Sequence, residues 1–187
     1  MKLPIKIALI GTGVYILLEL ILLLAGLNHQ REVILLALGA NSLILLIVVA
    51  LSILINFNRN KQGGLSMIAD LKVGIAAAAV YSLLVSSFLF LYFSTLDPTY
   101  PEMRKEQILT GLQDKEAIAE LDKQMEANPD TYAGKSSDDI QEMNHNNVEH
   151  MLSAGTVFPL SLFSLLLLGM IYSFFIMAFN RMILSKL

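Results

Sequence analysis

Four stretches of about 20 consecutive apolar residues, the length that a helix needs to cross a bilayer, constrain the fold of this chain most. They cover residues 5–27, 33–55, 71–93 and 157–179. A helix at the surface of a soluble domain would show polar residues at every third or fourth position, and these stretches do not. The sequence therefore predicts an all-α integral membrane protein with four transmembrane helices.

The first stretch could in principle be a cleavable signal peptide, because Lys2 and Lys6 give it a basic start. Its apolar part is longer than the roughly 7 to 15 residues of a signal sequence. Leu27 also stands where a lipoprotein would carry its lipid-bearing cysteine. We therefore expect an uncleaved signal anchor.

Charge divides the chain into two environments. Residues 94–156 carry 13 acidic and 5 basic side chains, net −8, whereas the rest carries 3 acidic and 8 basic ones, net +5. This division predicts three parts: helices one to three in residues 1–93, an acidic insert in 94–156, and helix four with a short basic tail in 157–187. The acidic balance argues against nucleic-acid binding, and the absence of cysteine excludes disulfides and thiolate metal sites.

The basic residues near the span ends predict the orientation, since Lys and Arg are retained on the cytoplasmic side. One side would carry Lys2, Lys6, Arg59, Lys61, Lys72, Arg181 and Lys186, and the short loop on the other side carries Arg31. Both termini are therefore expected in the cytoplasm of a bacterial cell, with the chain in the inner membrane. Residues 94–156 would face outward, into the periplasm of a Gram-negative bacterium.

The acidic insert shows apolar residues at helical spacing, interrupted at Asn128-Pro129-Asp130. Two antiparallel amphipathic helices, a helical hairpin, explain this pattern, and Gly111 and Asp114 could divide the first helix. Ser136 or Ser137 can cap the second one. Interfacial helices usually have a basic polar face, so the acidic faces favour a small helical cap or a docking surface for another membrane or periplasmic protein.

Ionisable residues at membrane depth are functional candidates by default, and Glu19 is the clear case. When residues are counted inward from the predicted outer end of each span, all four helices have a polar group at nearly the same depth in the membrane. We expect a buried polar layer in which Glu19 is protonated or hydrogen-bonded, with Asn41 as first-choice partner and Tyr15 as second. The layer would comprise Glu19, Asn41, Tyr15, Ser86, Ser87 and Ser164. It could carry protons or a ligand, or it could simply join the helices.

Outside the predicted membrane spans, the sequence offers only weak candidates for a catalytic or metal site. His145, Glu149 and Glu142 are spaced so that a helix could bring them to one face, a loose metal-ligand geometry, but the order does not match a zinc protease motif. Solvated helix faces explain these residues better. There is no phosphate-binding loop or nucleophile elbow. We therefore expect no enzyme activity, no cofactor and no metal.

Two short motifs resemble a known family. A basic loop with two glycines, Arg59-Asn60-Lys61-Gln62-Gly63-Gly64-Leu65-Ser66, leads into Asp70-Leu71-Lys72-Val73-Gly74, and Leu96-Asp97-Pro98 follows the third span. This arrangement resembles the bacterial membrane proteins grouped as domain of unknown function 4199. The resemblance implies a four-helix inner-membrane protein without an established activity, and it supplies no catalytic residue. Gly63 and Gly64 permit a tight turn, Asp70 can cap span three or lie in its first turn, and Asp97-Pro98 can end it.

The sequence thus favours a multi-pass membrane scaffold or accessory subunit that binds a partner in envelope assembly through its acidic insert. The alternative is a small transport or proton-coupled component centred on Glu19. Small residues from Gly74 to Ala79 form a packing seam. If that seam faced outward, it would support a homo-oligomer.

Overall fold

The computed structural model describes residues 2–59, 67–132 and 134–183, which form seven α-helices and one π-helical segment and contain no strand. They form two compact units: Met1–Leu89 with Phe158–Leu187, called the bundle here, and Phe90–Val157, called the insert. The sequence interpretation placed this division at residues 94 and 156. In chain order the helices are α1 Leu3–Leu24, α2 Arg31–Arg59, α3 Met67–Leu91, the π-helical Tyr92–Leu96, α4 Thr99–Leu112, α5 Lys115–Ala127, α6 Ser137–Met151 and α7 Ala154–Ile183.

Within residues 2–59, 67–132 and 134–183, four helices are long and apolar enough to cross a membrane, as predicted. They are Leu3–Leu24, Arg31–Arg59, Met67–Leu96 and Gly155–Asn180. Large apolar side chains are exposed on the outer faces of these helices, among them Phe163, Phe174, Phe175 and Phe179 of α7. Such a surface suits lipid and not water. The chain is therefore a multi-pass membrane protein by length, composition and surface.

The end of α1 differs from the prediction, which continued the first span to Leu27. Gly26 adopts a left-handed conformation with φ +66°, and its N–H donates to the Leu23 carbonyl at 3.0 Å. The N–H of Leu27 donates to the Leu22 carbonyl at 3.0 Å. These two bonds form a Schellman motif, which satisfies the last carbonyls of the helix. The helix therefore stops at Leu24, although apolar residues continue beyond it.

The end of the third span agrees with the sequence. Its last turns are π-helical, and the N–H of Asp97 donates to the Tyr92 carbonyl at 2.8 Å. Pro98 follows and cannot donate a helical hydrogen bond. Asp97-Pro98 thus ends the span, and Asp97 accepts a bond from the Thr99 hydroxyl at 2.8 Å.

Close approach between helices in the bundle depends on small residues. A Cβ atom on Gly169 of α7 would meet Ala78 of α3, and one on Gly74 of α3 would lie 2.7 Å from Ser173 Oγ of α7. Gly74 and Ala78 belong to the predicted seam and are buried inside the bundle. Gly74 and Ala78 therefore pack within one chain, whereas Ala76 of the same seam is exposed.

The described residues of the insert include three complete α-helices, α4 to α6, besides the π-helical segment, so the structure does not confirm a two-helix hairpin. The predicted first helix is divided between Leu112 and Lys115, at the position that Gly111 and Asp114 indicated. Within the insert, α4 contacts both α5 and α6, and α5 also contacts α6. Ile140 of α6 is the insert's buried aliphatic residue among those described. The loop at Gly63 and Gly64 lies outside the described residues.

We predict that Gly169→Leu lowers the stability of the bundle by about 1–3 kcal/mol, because the added side chain overpacks the contact with Ala78. Thermal unfolding in detergent measures the loss. Gly39→Leu is the matched control, since a Cβ there meets nothing within 4 Å. Equal melting temperatures for Gly169→Leu and Gly39→Leu would contradict the close packing of α3 and α7.

Candidate functional site

The predicted partners of Glu19 are separated in the structure. The Tyr15 hydroxyl donates to Glu19 Oε1 at 2.6 Å, within α1. Tyr15 is buried and its ring meets that of Phe88 edge-on, with centroids 6.5 Å apart. Tyr15, the second-choice partner, is therefore the one that Glu19 has. This bond joins two residues of one helix and holds no neighbouring helix.

Asn41, the first-choice partner, is bonded elsewhere. The Tyr81 hydroxyl of α3 donates to Asn41 Oδ1 of α2 at 2.7 Å, and both residues are buried. Tyr81 was not predicted as this partner, although a buried tyrosine usually finds a partner for its hydroxyl. This pair joins two spans through a fully enclosed hydrogen bond.

The predicted common depth was counted from the ends of the apolar windows, and these differ from the ends of the helices. Glu19 is five residues from the end of α1 at Leu24, whereas Asn41 is ten residues from the start of α2 at Arg31. At 1.5 Å per residue these counts correspond to about 7.5 Å and 15 Å. Glu19 thus lies nearer to its helix end than Asn41 does.

The three serines of the predicted layer have different environments. Ser86 is fully buried on α3, and its hydroxyl has no partner among the described residues. The Ser87 hydroxyl donates to the Leu83 carbonyl of its own helix at 2.8 Å. Ser164 is exposed on α7. Among the described residues, none of the three is hydrogen-bonded to Glu19.

Two further interhelical bonds were missed from the sequence, and both include α2. Ser42 Oγ lies 2.6 Å from the Tyr172 hydroxyl of α7, where either can donate. Asn56 Nδ2 of α2 donates to Asp70 Oδ1 of α3 at 3.1 Å. Asp70 was predicted either to cap the third span or to lie in its first turn. It lies in the first turn of α3 and is fully buried.

Asn180, near the end of α7, is a further buried polar residue. Asn180 is 1% exposed, and neither its Nδ2 nor its Oδ1 has a hydrogen-bond partner in the part of the chain that the structure describes. Leaving a buried polar group unpaired costs about 1–3 kcal/mol. Asn180 was missed because it falls near the polar end of the last span, where an asparagine is unremarkable in a sequence.

The insert contains the helix start that the sequence predicted. Ser136 is the N-cap of α6, and its hydroxyl accepts from the Asp139 N–H at 3.1 Å. In return the Ser136 N–H donates to Asp139 Oδ2 at 2.7 Å, which completes a capping box. That backbone hydrogen bond, aided by the Ser136 hydroxyl, lowers the pKa of Asp139 below its usual range.

The weak metal candidates of the insert do not assemble a ligand set. Glu149 of α6 accepts from Lys105 Nζ of α4 at 2.8 Å. This hydrogen bond lowers the pKa of Glu149 and raises that of Lys105. Glu142 and His145 are exposed, and the described part of the chain has no group of three His, Cys, Asp or Glu side chains that could hold a metal. Glu149 joins two helices here.

The acidic side chains of the insert are displayed to solvent. Twelve of its thirteen acidic residues are exposed, and the exception is Asp97. The exposed set includes four on α5, at Glu116, Glu120, Asp122 and Glu126. Because these carboxylates do not build the interior of the insert, they can act together as a negative surface.

Comparison with known proteins gives one match. A family model described as a protein of unknown function (DUF4199) matches residues 6–182. No curated protein and no solved structure matches the chain. The family match confirms the resemblance drawn from the loop before the third span and from Asp97-Pro98, and it assigns no activity to any residue.

We predict that Asp139 titrates below the usual carboxyl value of 3.8. A lowered folded-state pKa contributes stability above the unfolded value, and that contribution is lost as the pH falls through the folded value. Carboxyl ¹³C shifts, followed by NMR from pH 6 to pH 2, measure the midpoint. Ser136→Ala should raise the midpoint by removing the hydroxyl bond. A midpoint that does not change in Ser136→Ala would contradict the capping box.

Proposed function

We propose that this chain, which belongs to the DUF4199 family of proteins of unknown function, is a non-enzymatic membrane scaffold or accessory subunit that binds a partner protein through its acidic insert. The observation that carries the proposal is the exposure of twelve carboxylates on a compact unit of three helices. A partner with a basic patch is the complementary surface. Envelope assembly is the process in which we expect such a subunit to act.

The proposed orientation follows from the basic residues of the bundle. The termini and the connection between α2 and α3 carry most of its Lys and Arg, so we infer that they are cytoplasmic. The insert then faces the periplasm of a bacterium, with the bundle in the inner membrane. This arrangement would offer the acidic surface to partners outside the cytoplasm.

A transport or proton-coupled role centred on Glu19 is the second candidate. Its support is a carboxyl group within α1 that is partly buried and bonded to Tyr15. It ranks below the docking role because the bond lies inside one helix and Asn41, the first-choice partner, is bonded to Tyr81 instead. A carboxyl held in this way needs no transported ligand to explain it.

Cysteine chemistry tests the orientation and the partner together, since the natural chain has no cysteine. Gln124→Cys places a thiol on the exposed surface of α5, and Asn58→Cys places one at the exposed end of α2. We predict that a membrane-impermeant maleimide labels Gln124→Cys in cells with a permeabilised outer membrane, whereas Asn58→Cys requires lysis. The reverse labelling pattern would contradict the orientation.

A photoactivatable crosslinker attached at Gln124→Cys should then capture one recurrent partner. Neutralising α5 by changing Glu116, Glu120, Asp122 and Glu126 to Gln or Asn should reduce the capture at least tenfold, and added salt should weaken it because it screens exposed charges. The matched control neutralises Lys115 and Lys123 of the same helix and should retain capture. Capture that survives loss of the four carboxylates would refute the acidic surface as the docking site.

A further inference from the structure

Basic side chains are exposed at the end of the bundle where α2 ends and α3 begins. Asn56, near the end of α2, donates to Asp70 in the first turn of α3 at 3.1 Å, so these two helix ends lie side by side. Arg59 lies three residues beyond Asn56, and Lys72 lies two residues beyond Asp70. Both are therefore within about 4.5 Å of this bond along their helices, and both are exposed.

The start of α1 reaches the same end of the bundle. The short connection between α1 and α2 and the packing of these helices make them antiparallel. A Cβ atom on Gly11 of α1 would meet Val48 of α2. The eight residues from Val48 to Asn56 thus correspond to eight residues backward from Gly11, which end at the first residue of α1. Lys2 and Lys6 lie within three residues of that point and are exposed. The basic rim, as it is called here, consists of Lys2, Lys6, Arg59 and Lys72.

The bundle places no exposed carboxylate beside the basic rim. Its sequence contains three acidic residues, Glu19, Glu32 and Asp70. Glu32 belongs to the first turn of α2 and Glu19 to the last turns of α1, at the other end of these helices, and Asp70 is fully buried. Within the described residues, no side chain of the rim forms an ion pair. The rim therefore presents uncompensated positive charge.

Exposed apolar side chains continue along the helices from the rim. Lys6 and Ile10 are four residues apart on α1, so they lie on one face, and Ile10 is 69% exposed. Lys72 and the exposed Ala76 are spaced in the same way on α3. A molecule bound here would meet cations at the helix ends and an apolar surface beyond them. That combination suits an amphiphile with an anionic head and a hydrocarbon tail, and not a fully water-soluble anion.

We propose that the basic rim binds the phosphate headgroup of an anionic phospholipid. Lys and Arg form strong, charge-assisted hydrogen bonds with phosphate oxygens, and clusters of these residues beside transmembrane helices attract anionic headgroups. Because α1, α2 and α3 all contribute to the rim, a bound lipid should stabilise their association. This role is separate from docking by the insert, and it holds for either orientation of the bundle in the membrane.

Thermal unfolding of the full chain in a neutral detergent tests the proposal. Phosphatidylglycerol and phosphatidylcholine with the same acyl chains are compared at equal mole fraction and ionic strength. A ligand that binds the folded state alone raises the melting temperature, so phosphatidylglycerol should raise it by about 3 °C or more over phosphatidylcholine. Equal melting temperatures in the two lipids would overturn the proposal. An equal rise with inorganic phosphate instead of phosphatidylglycerol would overturn the assignment to a lipid.

Variants show whether the rim is responsible. The difference between the lipids should disappear in the fourfold variant Lys2→Gln, Lys6→Gln, Arg59→Gln and Lys72→Gln. A matched control removes four exposed basic side chains elsewhere and should keep the difference: Arg31→Gln, Lys115→Gln, Lys123→Gln and Lys135→Gln. A rim variant that keeps the difference would contradict the proposal. A control that loses it would also do so, because the lipid would then respond to net charge alone.

Two paired variants keep the test decisive if the fourfold variant is not recovered folded. Lys2→Gln with Lys6→Gln removes the part of the rim on α1, and Arg59→Gln with Lys72→Gln removes the part on α2 and α3. Each pair should lose at least half of the difference between the lipids. Pairs that both retain the full difference would refute binding at the rim.

Discussion

The bundle depends on polar contacts between helices that lipid cannot replace. Lipid tails are as apolar as the side chains of the spans, so burial of apolar surface gives little drive for helices to associate. Interhelical hydrogen bonds and close packing must supply it. Three such bonds have one partner on α2: Asn41 with Tyr81, Ser42 with Tyr172, and Asn56 with Asp70. The second helix therefore joins α3 and α7, and Gly74 and Gly169 let those two approach each other.

The insert is stabilised by different interactions, as expected for a segment rich in charge. Its helices begin at polar residues such as Ser136, and an ion pair from Lys105 to Glu149 joins α4 to α6. Most of its carboxylates stay at the surface. The chain thus combines a unit with an apolar outer surface and a unit whose surface is rich in carboxylates, and the second is the basis of the proposed docking function.

The four spans could be predicted from the apolar runs, because the thickness of the bilayer sets the length of such a run. The end of the third span could be predicted from Asp97-Pro98. The end of α1 was not predictable from hydropathy, since the Schellman motif at Gly26 stops the helix inside an apolar run. The partner of Asn41 was missed for a different reason. Pairing across helices depends on their rotation and relative depth, which periodicity does not give.

A double-mutant cycle between Asn41 and Tyr81 tests the role of α2 most directly. Unfolding free energies of the wild type, Asn41→Leu, Tyr81→Phe and the double variant would be measured in the same detergent. Because the two side chains share one enclosed hydrogen bond, the account predicts a coupling energy of about 0.6 kcal/mol or more. Additive effects, with no coupling between the two positions, would contradict the claim that α2 holds the bundle together through this bond.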